Sequence, residues 1–112
     1  MSKHMQITVT VRPYYKTGFE ETYPRLARRL EQLAPDLVRG QPSLFALAGQ
    51  LDQLLYRLEG TQLRGVLLRH RDALVKMHKS IQEKMADWNL SAADRILYAM
   101  EDVFDEIESQ MD

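Results

Sequence analysis

The placement of proline most constrains how this 112-residue chain can fold. All four prolines, Pro13, Pro24, Pro35 and Pro42, precede Ser43, and the remainder of the sequence has none. Proline interrupts helix interiors because it lacks an N–H donor and clashes with the preceding turn. The proline-free part is also rich in residues that favour helices. We therefore predict a mainly α fold, with everything from Ser43 onward almost entirely helical.

The spacing of apolar residues divides the chain into about four helices, which we expect to form an up-and-down bundle. Pro24 suits a first helical turn, Ser43 an N-cap and Gly60 a C-cap, whereas Pro35 should end or kink the first helix. A turn near Gly60 is favoured over one long kinked helix, although both stay open. Within a single domain spanning 1–112, the predicted helices cover residues 24–38, 43–59, 61–88 and 91–110.

The N-terminal segment 6–12 alternates apolar and polar residues and predicts one short β-strand or extended arm. Its apolar positions are Ile7, Val9 and Val11. A single strand leaves backbone groups unpaired, which predicts self-association with a second copy as a homodimer. The alternatives are an arm lying across its own bundle, pairing with residues 14–23, or a frayed end.

The third helix carries most of the local positive charge and is the candidate nucleic-acid surface. We assign this basic surface to five side chains: Arg64, Arg69, Arg71, Lys76 and Lys79. The chain as a whole has 15 basic and 16 acidic residues and a net charge of −1, so no global field attracts phosphates. Nucleic-acid binding through this surface is our alternative hypothesis. No aromatic side chains alternate with the basic ones, and the helices lack helix-turn-helix spacing, so neither feature supports it.

The fourth helix has the opposite charge, and we expect Ser91 to cap its N-terminus. Its predicted outer face holds Glu101, Asp102, Asp105 and Glu108. Carboxylates near a helix C-terminus oppose the helix dipole, so this face is a candidate surface for a basic protein partner. A simply solvated face is the other interpretation.

No metal, cofactor or catalytic site is expected. His70 and His78 are eight residues apart, which separates them by about 12 Å along a helix, too far to share a metal. His70 instead falls in the apolar seam of the third helix, as does Trp88. The sequence has no cysteine and no recognised catalytic motif. A small-ligand or metal-binding pocket near His70 and Trp88 remains the third hypothesis.

The location of the protein is predicted from what its sequence lacks. Apolar runs are far shorter than the roughly 20 residues needed to span a bilayer, and residues 1–6 lack the apolar core of a signal peptide.

An aromatic cluster before the first helix is expected to cover one end of the bundle; it comprises Tyr14, Tyr15, Phe19 and Tyr23. The sequence therefore predicts a cytoplasmic, non-enzymatic, self-associating helical interaction or regulatory protein.

Overall fold

A computed structural model describes residues 9–12, 18–38 and 42–111, and these residues form a mainly α-helical fold. The prediction of a mainly α fold is therefore confirmed. The helices are α1 (Phe19–Thr22), α2 (Pro24–Leu33), α3 (Pro35–Val38), α4 (Leu44–Gly49), α5 (Leu51–Arg57), α6 (Gln62–Ala86) and α7 (Leu90–Gln110).

The first half of the chain is divided into shorter helices than the sequence predicts. The predicted helix over 24–38 is interrupted at Ala34, because Pro35 cannot continue the hydrogen bonding of α2 and instead begins α3. The predicted helix over 43–59 is interrupted at Gln50. There the N–H of Gln50 bonds to the carbonyl of Leu47 at 3.2 Å, the i→i−3 pattern of a 3₁₀ turn, which ends α4 before α5 begins.

Most of the predicted helix ends are present. Pro24 lies in the first turn of α2, and the hydroxyl of Ser43 accepts the N–H of Ala46 at 3.0 Å to cap α4. Leu58, not Gly60, is the C-cap of α5; Gly60 lies two residues further on with a φ of 81°, the left-handed conformation that glycine adopts without strain. The hydroxyl of Thr61 then caps α6, so α5 and α6 are separate helices.

The turn between α6 and α7 differs from its prediction. Trp88 lies beyond α6 rather than in its seam, has a φ of 58°, and leaves 57% of its surface exposed. The N–H of Asn89 bonds to the carbonyl of Lys84 at 2.8 Å, which is a Schellman closure with tryptophan where glycine is usual. Asn89, not Ser91, caps α7 by accepting the N–H of Ala92.

α6 and α7 pack as an antiparallel pair that forms one side of the core. His70 of α6 lies 3.1 Å from the side chain of Gln110 at the far end of α7, while Trp88 joins their opposite ends. Helices α2, α4 and α5 pack against this pair. The buried side chains at the centre are Leu63, Leu67, Leu74 and Ile81 of α6 and Met100, Phe104 and Ile107 of α7.

The predicted aromatic cluster is only partly described. Phe19 and Tyr23 are buried, with ring centroids 5.9 Å apart, and Tyr23 meets the edge of Phe104 at 6.4 Å. These rings join α1 and α2 to α7. Tyr14 and Tyr15 lie outside the described residues.

The predicted strand is also only partly described. Residues 9–12 form no strand, whereas residues 6–8, including Ile7, lie outside the described part of the chain. Val9 and Val11 are half-buried and Thr10 is exposed. Burial therefore alternates along these residues as the sequence predicts, although they do not pair as a strand.

Candidate interaction surfaces

Two residues of the predicted basic surface hold α6 against α5. The guanidinium of Arg71 donates to both carboxylate oxygens of Asp52, at 2.8 and 3.1 Å, and to Asp72 at 3.0 Å. Arg64 donates to the backbone carbonyl of Leu55 at 3.2 Å. Both guanidinium groups are therefore already hydrogen-bonded within the chain, although Arg71 uses three of its N–H donors and keeps others.

The Arg71–Asp52 pair also shifts the ionisation of both groups. The hydrogen bond from Arg71 lowers the pKa of Asp52, and the same hydrogen bond raises the pKa of Arg71. Asp52 is exposed and Arg71 half-buried, so solvent weakens the attraction, and the pair orients α5 and α6 more than it stabilises them.

The other three predicted basic residues, Arg69, Lys76 and Lys79, lie exposed on α6. The same outer side of the helix carries the exposed acids Asp72 and Glu83. Opposite charges are thus interspersed, which gives a weaker attraction for phosphates than the sequence suggested.

His78 packs against α4 rather than facing His70. Its ring stacks on Phe45 with centroids 4.3 Å apart and an angle of 18°. The contact requires Gly49, because a Cβ there would lie 2.7 Å from Nε2 of His78. Burial lowers the pKa of His78, so the imidazole favours its neutral form. A cavity of about 250 Å³ lies beside it, lined also by Asp52 and Val75.

The carboxylates of α7 have two different roles. Glu108 binds the N-terminus of α2, accepting the N–H of Arg25 at 2.8 Å and the N–H of Leu26 at 2.9 Å. Asp102 and Asp105 are exposed. The predicted acidic surface is therefore divided, and Glu108 belongs to the fold's own hydrogen bonding.

Glu101 lines a groove of about 230 Å³ between α4 and α7. Desolvation raises its pKa, and the neighbouring carboxylates of Asp105, Asp102 and Asp94 raise it further. The N-terminal end of α4 and the residues Val11 and Arg12 line the same groove. Of the predicted self-association residues, Val11 thus lies beside its own bundle.

Comparison with known proteins adds nothing to these surfaces. The chain matches no protein-family model, no curated protein and no solved structure. Among the described residues, no helix is long and apolar enough to cross a membrane, and no three potential ligand residues are grouped where they could hold a metal ion. The function has to be argued from the surface of this chain alone.

Large apolar side chains remain at that surface. On α5 and α6, Tyr56 is 81% exposed, Leu68 43% and Val75 37%. Sequence reasoning missed Leu68 and Val75 because they lie outside the main seam of α6. Their seven-residue separation was the available signal, since it places both on one side of the helix.

Proposed function

We propose that this protein is a non-enzymatic helical interaction protein that self-associates. The observation supporting it is the set of large apolar side chains left exposed around a closed core, foremost Tyr56, Leu68 and Val75. Exposed apolar groups that lie together on a protein surface often mark a contact with another macromolecule. An up-and-down order of the helices and a cytoplasmic location are parts of the same proposal.

The exposed carboxylates Asp102 and Asp105 fit the further proposal that a protein partner with basic side chains binds α7. Glu108 is not part of that surface, because its carboxylate is engaged with α2. Pairing of two N-terminal arms through Ile7, Val9 and Val11 also remains a proposal. The position of Val11 and Arg12 beside α4 and α7 instead favours an arm lying across its own bundle, which leaves the helices as the self-association surface.

Light-scattering mass measurement tests self-association directly. We expect the full chain at tens of micromolar to have the mass of a dimer. A version beginning at Tyr15 serves as the matched control, and it should also be a dimer if the helices provide the contact. Loss of the dimer only in the shortened version would assign self-association to the arm. A monomeric full chain would refute the proposal.

Nucleic-acid binding is the competing function, and salt dependence separates the two. Binding of duplex DNA through α6 would weaken steeply with salt, and replacing Arg69, Lys76 and Lys79 by alanine would reduce it. We expect no such binding, because Arg64 and Arg71 are engaged with α5. Salt-sensitive binding abolished by these substitutions would replace our proposal.

A further inference from the structure

The exposed apolar residues of α5 and α6 surround a cluster of charges. We call this surface the α5–α6 face and define it by Tyr56, Leu68, Arg71, Asp72 and Val75. Arg71 is bound to Asp52 and Asp72, yet the side chain of Asp72 remains 97% exposed. The face therefore has an apolar rim and one carboxylate that is open to a further partner.

Helix geometry places these residues side by side. Leu68 and Val75 are separated by two turns of α6, with Arg71 between them. On α5, Tyr56 lies one turn after Asp52, which binds Arg71, so Tyr56 is on the same side of α5 as this ion pair. Gly65, one turn before Leu68, has nothing within 4 Å of the position of a Cβ, and its side of the helix is open to close approach.

The order of residues along this part of α6 is symmetrical in chemical type. Leu68 lies three residues before Arg71, and Val75 lies three residues after Asp72. A two-fold axis between positions 71 and 72 would pair each apolar residue with the other and the base with the acid. At these four positions an antiparallel second copy of α6 is thus complementary in both charge and hydrophobicity.

We propose that the α5–α6 face is the site at which a second copy of this chain docks, with the two α6 helices antiparallel. Leu68 of each copy packs on Val75 of the other, and the open carboxylate of Asp72 meets Arg71 of the second copy. This inference rests on the self-association in the proposed function and specifies its surface.

Disulfide cross-linking tests the arrangement, because the sequence has no cysteine. An equimolar mixture of Leu68→Cys and Val75→Cys chains should form a mixed disulfide, and the Arg71–Asp72 pairs are preserved in both variants. Each variant alone should cross-link far less. In the antiparallel arrangement, identical positions are separated by about 10 Å along the helix, whereas a disulfide needs Cα atoms within about 7 Å.

Control positions lie on other surfaces. Val9→Cys reports on contact between N-terminal arms, and Tyr98→Cys, exposed on α7, reports on random collision. If the chain is a dimer by mass but only one of these controls cross-links, the α5–α6 face is wrong while the proposed self-association stands. Equal cross-linking by each variant alone would overturn the antiparallel arrangement. A monomeric chain would refute both proposals.

A charge introduced on the face gives an independent measurement. Val75→Glu should weaken dimerisation at least tenfold, because it places a buried, unpaired carboxylate against Leu68 of the second copy. Val75 is partly exposed in one chain, so circular dichroism should show unchanged helix content. The matched control Tyr98→Glu should leave the dimerisation constant unchanged. Unaltered dimerisation in Val75→Glu would overturn the inference.

Discussion

The carboxylate of Glu108, near the end of α7, accepts the backbone N–H of Leu26 in the first turn of α2 at 2.9 Å. The second oxygen accepts the neighbouring N–H of Arg25, and Arg25 in turn donates to the carbonyl of Met111 at 2.9 Å. The first N–H groups of any helix lack partners within that helix. Here a residue more than eighty positions away provides those partners, which joins the start of α2 to the end of α7.

Removing this long-range cap should destabilise the protein. We expect Glu108→Ala to lower the free energy of unfolding by about 1–2 kcal/mol, the usual cost of losing an N-cap. Urea denaturation measures the change. Asp102→Ala removes an exposed carboxylate from the same helix and should alter stability by less than about 0.5 kcal/mol. Equal effects of the two substitutions would contradict the capping role.

Two helical glycines should respond in opposite directions to alanine. Gly49→Ala places a Cβ against the ring of His78 and should destabilise the fold by about 1–3 kcal/mol. Gly65→Ala meets open space and should stabilise it by about 0.5–1 kcal/mol, because alanine restricts the unfolded chain. Thermal denaturation of both variants tests this, and in a His78→Ala background the penalty at Gly49 should shrink.

His78 should make stability depend on pH. Burial lowers its pKa in the folded chain, so the unfolded chain binds the proton first as the pH falls. Stability should be fully present above the unfolded value of about 6.5 and decrease as the pH drops from there toward the folded pKa. Asp52, which lines the same cavity, is paired with Arg71. Urea unfolding at pH 7.5 and 5.5 should show a smaller difference for His78→Gln than for the natural chain.

The raised pKa of Glu101 should fall when a neighbouring charge is removed. Asp105→Asn eliminates one repulsive carboxylate, but desolvation is the larger cause, so the pKa should remain above its ordinary value. Carboxyl chemical shifts followed by NMR against pH give the measurement. Glu106→Gln is the control, because Glu106 does not contribute to the shift. A pKa unaffected by Asp105→Asn would exclude coupling between these two groups.

The left-handed backbone conformation at Trp88 should make a glycine variant more stable than an alanine variant. Trp88→Gly should be more stable than Trp88→Ala by about 1 kcal/mol, since only glycine adopts a φ near 58° without steric penalty. Both variants lose the same aromatic side chain, so its packing cancels in the comparison. Chemical denaturation of the two variants measures the difference in their free energies of unfolding. An alanine variant at least as stable as the glycine variant would argue against backbone strain at this turn.

Local signals predicted the helices and several of their ends. Ser43 caps α4 as predicted, and Gly60 forms the predicted turn although Leu58 is the C-cap, because N-cap hydrogen bonds and left-handed turns depend mainly on neighbouring residues. The same reasoning failed at Trp88, whose heptad position suggested burial. A Schellman turn formed by a tryptophan has no local signature, since glycine normally occupies that position.

The surfaces depended on tertiary structure far more than the helices did. The sequence identified Arg71 and Glu108 as charged positions, but their partners lie on other helices: Asp52 on the preceding helix, and the N-terminus of α2 more than eighty residues away. No periodic pattern encodes such a pairing, because it is set by how helices of different lengths pack. The sequence by itself determined that this chain is mainly helical, through its prolines, caps and apolar spacing. Only the packing decided which charges hold the fold together and which apolar side chains remain exposed.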